Sequence, residues 1–165
     1  MGFTLISFRS IDLSKDSKTI IKFRRDSYVI SFGDYNLFGD NESYLKKIED
    51  RLVKFPGGIV LVENNGKPVG QVELQIKAFD SMRVGYVNLF YLIPEYRGKG
   101  YGSNLIAYAE HFFQENNIIE YQLRVSTTNK RAIRFYQKQG FNFLRIEEED
   151  TVPRIRMQKR ISPLF

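Results

Sequence analysis

The segment Arg97-Gly98-Lys99-Gly100-Tyr101-Gly102 places three glycines at every second position, directly after an apolar run at 84–93 and directly before an amphipathic one. Alternating glycines let a backbone turn tightly and leave successive N–H groups unobstructed. A helix that starts there adds the partial positive charge of its N-terminus. Such a segment can cradle a diphosphate. Its spacing is not that of the nucleotide phosphate loop, which needs Gly, four residues and then Gly-Lys-Ser/Thr. Nor is it that of the dinucleotide fingerprint, whose third glycine follows three positions after the second. A glycine-rich strand-to-helix turn with no ligand is the plainer alternative.

A second constellation lies one strand further on: Asn129, Ala132, Tyr136, Gly140 and Phe141. From its helix alone, Tyr136 reads as a buried tyrosine on a stripe with Ala132 and Phe135, and Asn129 or Thr128 reads as an N-cap.

With Pro94 and Arg97 ahead of the glycines, the segment Leu92-Ile93-Pro94-Glu95-Tyr96-Arg97-Gly98-Lys99-Gly100-Tyr101-Gly102 closely resembles the acyl-CoA pyrophosphate loop of GCN5-related N-acetyltransferases. The second constellation matches that family's N-x-x-A-x-x-x-Y-x-x-x-G-F signature, and the resemblance is clearest over 86–144. It implies that the backbone of Phe90, Tyr91 and Leu92 faces the pantetheine arm and thioester of acetyl-CoA. The strand that carries them splays from its neighbour in this family, so its free amides can pair as in an added strand, and one N–H can stabilise the thioester oxyanion. The N–H groups from Gly98, Lys99, Gly100, Tyr101, Gly102 and Ser103 are implied to face the pyrophosphate. Arg97, Lys99, Lys130, Arg131 and Arg134 are candidates for phosphate contact, and Asn129 for positioning the cofactor. Tyr136 matches the tyrosine that donates a proton to the departing thiolate, a role that suits a phenol protonated at neutral pH.

An ammonium acceptor must lose a proton before it attacks a thioester. Where many relatives carry Glu, this chain has Asn88 and Arg124, neither of them a base at neutral pH. Glu73, alternating with Gln71 and Gln75, is the carboxylate candidate, with an exposed strand glutamate as the alternative. Asn88 is expected to hold a water or orient the acceptor, and a water relay is the preferred route. The run Glu147-Glu148-Glu149-Asp150 either attracts a cationic amine or forms a solvated turn. Asp34, Tyr35 and Phe38 form a second candidate acceptor wall.

Around these residues the pattern predicts strands at 3–9, 59–63, 69–76, 84–93, 121–126, 141–146 and 152–157, and helices at 14–31, 41–54, 101–116 and 130–139. Asn64-Asn65-Gly66 signals a hairpin, and Gly140 a helix stop. The resemblance implies an α/β fold: one domain over 1–165, with a mixed, largely antiparallel sheet, helices on both faces and a splayed central strand pair.

The 165 residues include 14 Phe and 10 Tyr, enough for a substantial core. There is no Cys, which excludes disulfides, thiolate metal ligands and a cysteine acyl-enzyme. No metal site is expected, and the single histidine, His111, reads as a surface residue. No run approaches the length of a membrane span, and the N-terminus lacks the build of a signal peptide, so no membrane partner and a cytoplasmic location are expected. The function expected is transfer of acetyl from acetyl-CoA directly to an amine of unknown identity. A catalytically silent acyl-CoA sensor is the alternative. A nucleic-acid-binding domain, suggested by the net charge of +6, is disfavoured because the charges are scattered. A homodimer through an exposed strand edge or apolar patch stays open.

Overall fold

The computed structural model describes residues 5–148 and 152–164, with the side chains of Tyr35 and Asn36 outside that description. Along the chain run β1 (Ser7–Ser10), α1 (Leu13–Phe32), α2 (Asn41–Lys54), β2 (Ile59–Asn64), β3 (Lys67–Phe79) and β4 (Met82–Leu92). They are followed by α3 (Tyr101–Glu115), β5 (Glu120–Ser126), α4 (Lys130–Lys138), β6 (Asn142–Glu147) and β7 (Arg154–Arg160). The strands form one seven-stranded sheet in the order β1-β2-β3-β4-β5-β7-β6. Every pairing is antiparallel except that of β4 with β5. This is the mixed, largely antiparallel α/β architecture expected.

Local chemistry fixes the helix starts. Asp12 accepts the N–H of Ser14 at 3.0 Å ahead of α1, and Asp40 that of Ser43 at 2.8 Å ahead of α2. For α4 the cap is Asn129, which accepts the N–H of Ala132 at 3.2 Å. Each supplies an acceptor to a first-turn donor that has no partner within the helix.

β2 and β3 meet at Asn65 and Gly66, both at positive φ, as the hairpin signal predicts. β3 and β4 are longer than the sequence pattern suggests, because Asp80 (φ 48°) and Ser81 (φ 65°) make an equally tight two-residue turn between Phe79 and Met82. Neither residue is glycine, so the turn carries no strong sequence signal. β1 and β7 also shift toward the C-terminus of their predicted ranges. β7 continues to Arg160 because Glu120 at the start of β5 pairs with it. Residues 3 and 4 of the first predicted strand lie outside the described residues.

Two apolar clusters flank the sheet. α3 sets Leu105, Ile106, Ala109, Phe112 and Phe113 against Val72, Leu74, Val87, Tyr121 and Leu123, with Phe135 and Tyr136 of α4 packed at the margin. On the other face α1 and α2 set Ile20, Phe23, Tyr44 and Ile48 against Ile59, Leu61, Leu89 and Tyr91. Fully burying one such Ile or Leu contributes about 1.5–3 kcal/mol, so each helix pair is firmly held to its face.

Candidate active site

β4 and β5 are joined only at Gly85↔Tyr121 and Tyr86↔Gln122. Beyond that point β4 pairs with β3 as far as Leu92, and its opposite edge has no strand partner, so the central pair splays. The ladder jumps from Glu73↔Leu89 to Leu74↔Val87, which leaves Asn88 as an extra residue, a β-bulge. Phe90, Tyr91 and Leu92 thus present backbone groups along an open edge. The Tyr91 side chain turns to the α1 face, where its hydroxyl bonds Asp26, and burial together with that carboxylate pushes its pKa far above the ordinary phenol value.

Past β4, Pro94–Tyr96 makes a short 3-10 turn, and Gly98 (φ 71°) and Gly100 (φ 90°) adopt left-handed conformations that favour glycine. A Cβ at Gly98 would lie 2.5 Å from the Arg131 guanidinium, and one at Gly102 would lie 2.7 Å from the Phe135 ring. The loop is therefore a bare backbone surface seated against α4. Arg97 does not reach outward: its Nε donates to the Leu92 carbonyl at 2.7 Å and its Nη2 to Asp26 at 2.8 Å, tying the loop to α1. Lys99 is exposed. Tyr101 packs on Tyr96, and Ser103 Oγ accepts from Gln139 at 3.2 Å.

These parts surround one cleft of about 530 Å³, lined among others by Asn88, Phe90, Gly98, Gly102, Asn129 and Tyr136. Tyr136 stands edge-on to Phe135 and Phe141. Desolvation there holds its hydroxyl well above the ordinary phenol pKa, so it keeps its proton throughout the neutral range. A protonated phenol beside an open amide edge and a bare glycine loop can bind a thioester-bearing diphosphate and protonate a leaving thiolate.

Asn88 and Arg124 also line the cleft. The Asn88 side-chain oxygen accepts from Gln75 at 2.5 Å, which supplies the partner a polar group on this strand requires, and its carbonyl accepts from Arg24 at 3.3 Å. Arg124 donates to the Tyr86 hydroxyl at 2.8 Å and faces Glu147 at 3.7 Å. Glu73 is not brought to the cleft, and it is not the exposed strand glutamate of the alternative expectation. It is 0% exposed, accepting from the Tyr44 hydroxyl at 2.6 Å, Gln71 at 2.9 Å and Arg51 at 3.3 Å beneath α2. A strand read for alternation alone cannot show which face a helix will cover.

Of the acidic run, Glu147 is held by Arg156 at 2.7 Å and Arg145 at 2.8 Å. These hydrogen bonds, Arg156 first, bring its pKa down to about 2. Glu148 is exposed, and Glu149 and Asp150 lie outside the described residues. Phe38 packs between Tyr28 and Tyr44, and neither it nor Asp34 lines the cleft.

The sequence reading missed the α1 wall of the cleft, Arg24, Tyr28 and Phe32, and with it Arg154 from β7. The four-residue spacing on α1 puts the first three on one helix face. No local pattern places the start of β7 against the end of that helix.

Residues 20–141 match the Acetyltransferase (GNAT) family. An uncharacterized N-acetyltransferase of Archaeoglobus fulgidus is 32% identical over 103 residues, 61% of this chain and 68% of that protein. An uncharacterized N-acetyltransferase of Methanocaldococcus jannaschii is 34% identical over 108 residues, 63% of this chain but 46% of the relative, so the chain spans about half that protein's length. Among solved structures, the PaiA N-acetyltransferase of Thermoplasma acidophilum in complex with coenzyme A superposes with a TM-score of 0.70 at 23% identity, over 94% of this chain and 99% of that one. The splayed strands, the glycine loop and the matched residues converge: this chain belongs to the GNAT acetyltransferase family.

Proposed function

We propose that the protein is an N-acetyltransferase that moves acetyl from acetyl-CoA directly to an amine, acting in the cytoplasm. The observation that carries this reading is the open edge of β4 meeting the glycine loop and Tyr136 in one cleft. The residues present suit acetyl-CoA, because the cradle has no room for a side chain at Gly98 and offers unobstructed N–H groups at the start of α3. Bound there, acetyl-CoA supplies the activated acyl carbon.

The chain's own residues divide the remaining work. Backbone N–H groups of Gly98, Lys99, Gly100, Tyr101, Gly102 and Ser103 bind the pyrophosphate. The backbone of Phe90, Tyr91 and Leu92 orients the pantetheine arm, and one of its N–H groups stabilises the oxyanion. Arg97 holds the loop to α1 through Asp26, Asn129 fixes the start of α4, and Arg131 lies against Gly98 within reach of phosphate. Tyr136 delivers the proton to the departing sulfur. Among the described residues the cleft lining contains no Asp or Glu. The acceptor proton therefore passes to water, with Asn88 orienting the acceptor at the bulge. Glu73, bonded to three partners beneath α2, serves as a structural tie in this reading.

The empty carboxylate position also favours a second reading, an acyl-CoA sensor without turnover. Release of free CoA from acetyl-CoA across a panel of amines, corrected for hydrolysis, separates the two. Acceptor-dependent release supports the enzyme, and tight acetyl-CoA binding with no release from any amine class supports the sensor.

A further inference from the structure

Resting on the acetyltransferase reading, we infer that the acceptor carries a carboxylate as well as its amine, and that the positively charged α1 wall of the cleft, with Arg24 at one end and Arg154 at the other, receives that carboxylate. Five arginines and no acidic residue line the cleft among the described residues. Three of the five are accounted for. Arg97 is paired with Asp26, Arg124 bonds Tyr86 and faces Glu147, and Arg131 lies against Gly98 at the phosphate loop.

Arg24 and Arg154 have no carboxylate partner among the described residues. They bracket an aromatic ladder: the Arg24 guanidinium carbon is 5.1 Å from the Tyr28 ring centre, Tyr28 is 5.6 Å from Phe32, and the Arg154 guanidinium carbon is 4.8 Å from Phe32. A guanidinium stacked on a ring bonds in its own plane, where its N–H edge matches the two oxygens of a carboxylate. Arg24 donates from Nη1 to Ser27 Oγ at 3.5 Å and to the Asn88 carbonyl at 3.3 Å, and keeps its other donors for that use. The Nε of Arg154 is buried with no hydrogen bond, the kind of donor a ligand oxygen satisfies.

The two sides of the sheet divide the ligands. The glycine loop opens α3 on one face, whereas Arg24 and the ladder belong to α1 on the other, and Arg154 lies beside Ser126 at the end of β5. Arg24 also bonds the carbonyl of Asn88 at the bulge, which sets a carboxylate-binding group next to the open edge of β4. A diamine or polyamine would bring a second cation against this wall, so the same arginines select against it.

The test compares acceptors that differ in carboxylate, with kcat/KM expressed per free amine because a neighbouring carboxylate raises the amine pKa: glycine with glycinamide, L-glutamate with the amide of L-glutamine, and the peptide amides Glu-Ala-Ala and Gln-Ala-Ala. Free CoA release should favour the carboxylate member by tenfold or more in kcat/KM. A preference confined to the amino acids or to the peptides identifies which source supplies the carboxylate. Arg24→Met and Arg154→Met should each reduce the preference to less than threefold, and Arg154→Lys, with circular dichroism as the check on folding, should retain part of it. Equal values in every pair, preference for the amide members, or variants that weaken acetyl-CoA binding and leave the ratio intact would overturn the inference. If no acceptor turns over, calorimetric binding of the same pairs to the CoA-saturated protein decides it, and no carboxylate preference there overturns it as well. Failure of the acetyltransferase reading itself shows separately, as acetyl-CoA binding with no CoA release from any amine, or as no acetyl-CoA binding at all.

Discussion

In the proposed reaction, Tyr136 and the acceptor amine make opposite demands on the cleft, since one must keep a proton that the other must lose. Desolvation serves the first demand. It raises the Tyr136 pKa above the ordinary phenol value, so the acid form persists to higher pH and no descending limb is expected in kcat/KM below about pH 10. For the second demand no acidic residue lines the cleft among the described residues, so the ascending limb should follow the acceptor's own amine. A pH–rate profile with two acceptors of different amine pKa checks this. An ascending limb fixed near pH 5–7 for both would place a carboxylate or histidine base in the site. Tyr136→Phe should lower kcat by about 10²-fold or more while acetyl-CoA affinity, measured by calorimetry, is kept. At this scale the sequence was legible where geometry resides in one loop or one helix turn, as in the left-handed Gly98, the Asn129 cap and the Tyr136 side chain on the cleft. It was illegible where residues distant along the chain share a wall, as Arg24 and Arg154 do through Phe32.

Between elements, Glu73, the carboxylate candidate from sequence, belongs to a hydrogen-bonded tie under α2. Tyr44 donates to Glu73 and accepts from Gln71, and Arg51 reaches the same carboxylate from the last turn of α2. Burial and the Glu73 charge push the Tyr44 hydroxyl well above its ordinary pKa, so it remains a donor. Glu73→Leu leaves Arg51 and Tyr44 without their acceptor and should destabilise the fold by about 3–5 kcal/mol in urea unfolding. Activity per folded molecule should fall less than tenfold. Loss of activity at unchanged stability would assign Glu73 to chemistry instead. Element boundaries were readable from caps and glycines: Asp40, Asn129 and Gly140 mark theirs by side-chain type. The Asp80-Ser81 turn and the position of β7 between β5 and β6 depend on long-range pairing, which a local pattern does not record.

At the scale of the whole molecule, the sheet is two antiparallel ribbons joined at one short parallel contact between β4 and β5. A ligand that lies along β4 and reaches α4 spans both ribbons, so its binding energy adds to the stability of the fold. Acetyl-CoA at 100 times its dissociation constant should stabilise the protein by about 2.7 kcal/mol, read as a rise in the midpoint of urea unfolding. Amide exchange should slow at 87–92 and at the start of α3. An unchanged midpoint at that concentration would mean that acetyl-CoA does not bind the folded protein in preference to the unfolded chain.

Asn88 has a consequence for how this chain can vary. On β4, Gly85 and Val87 face the α3 side, yet Leu89 and Tyr91, of the same parity, face α1 and α2. The extra residue works like a frameshift in the inside-outside code of the strand. Substitution at 88 changes a side chain, whereas removal of the residue would close the ladder into regular alternation with Leu89, Phe90, Tyr91 and Leu92 still on their present faces, at the cost of the bulge and of the Asn88 bonds to Gln75 and Arg24. A change in length at 88 therefore alters the edge of the cleft and not the facing of the strand.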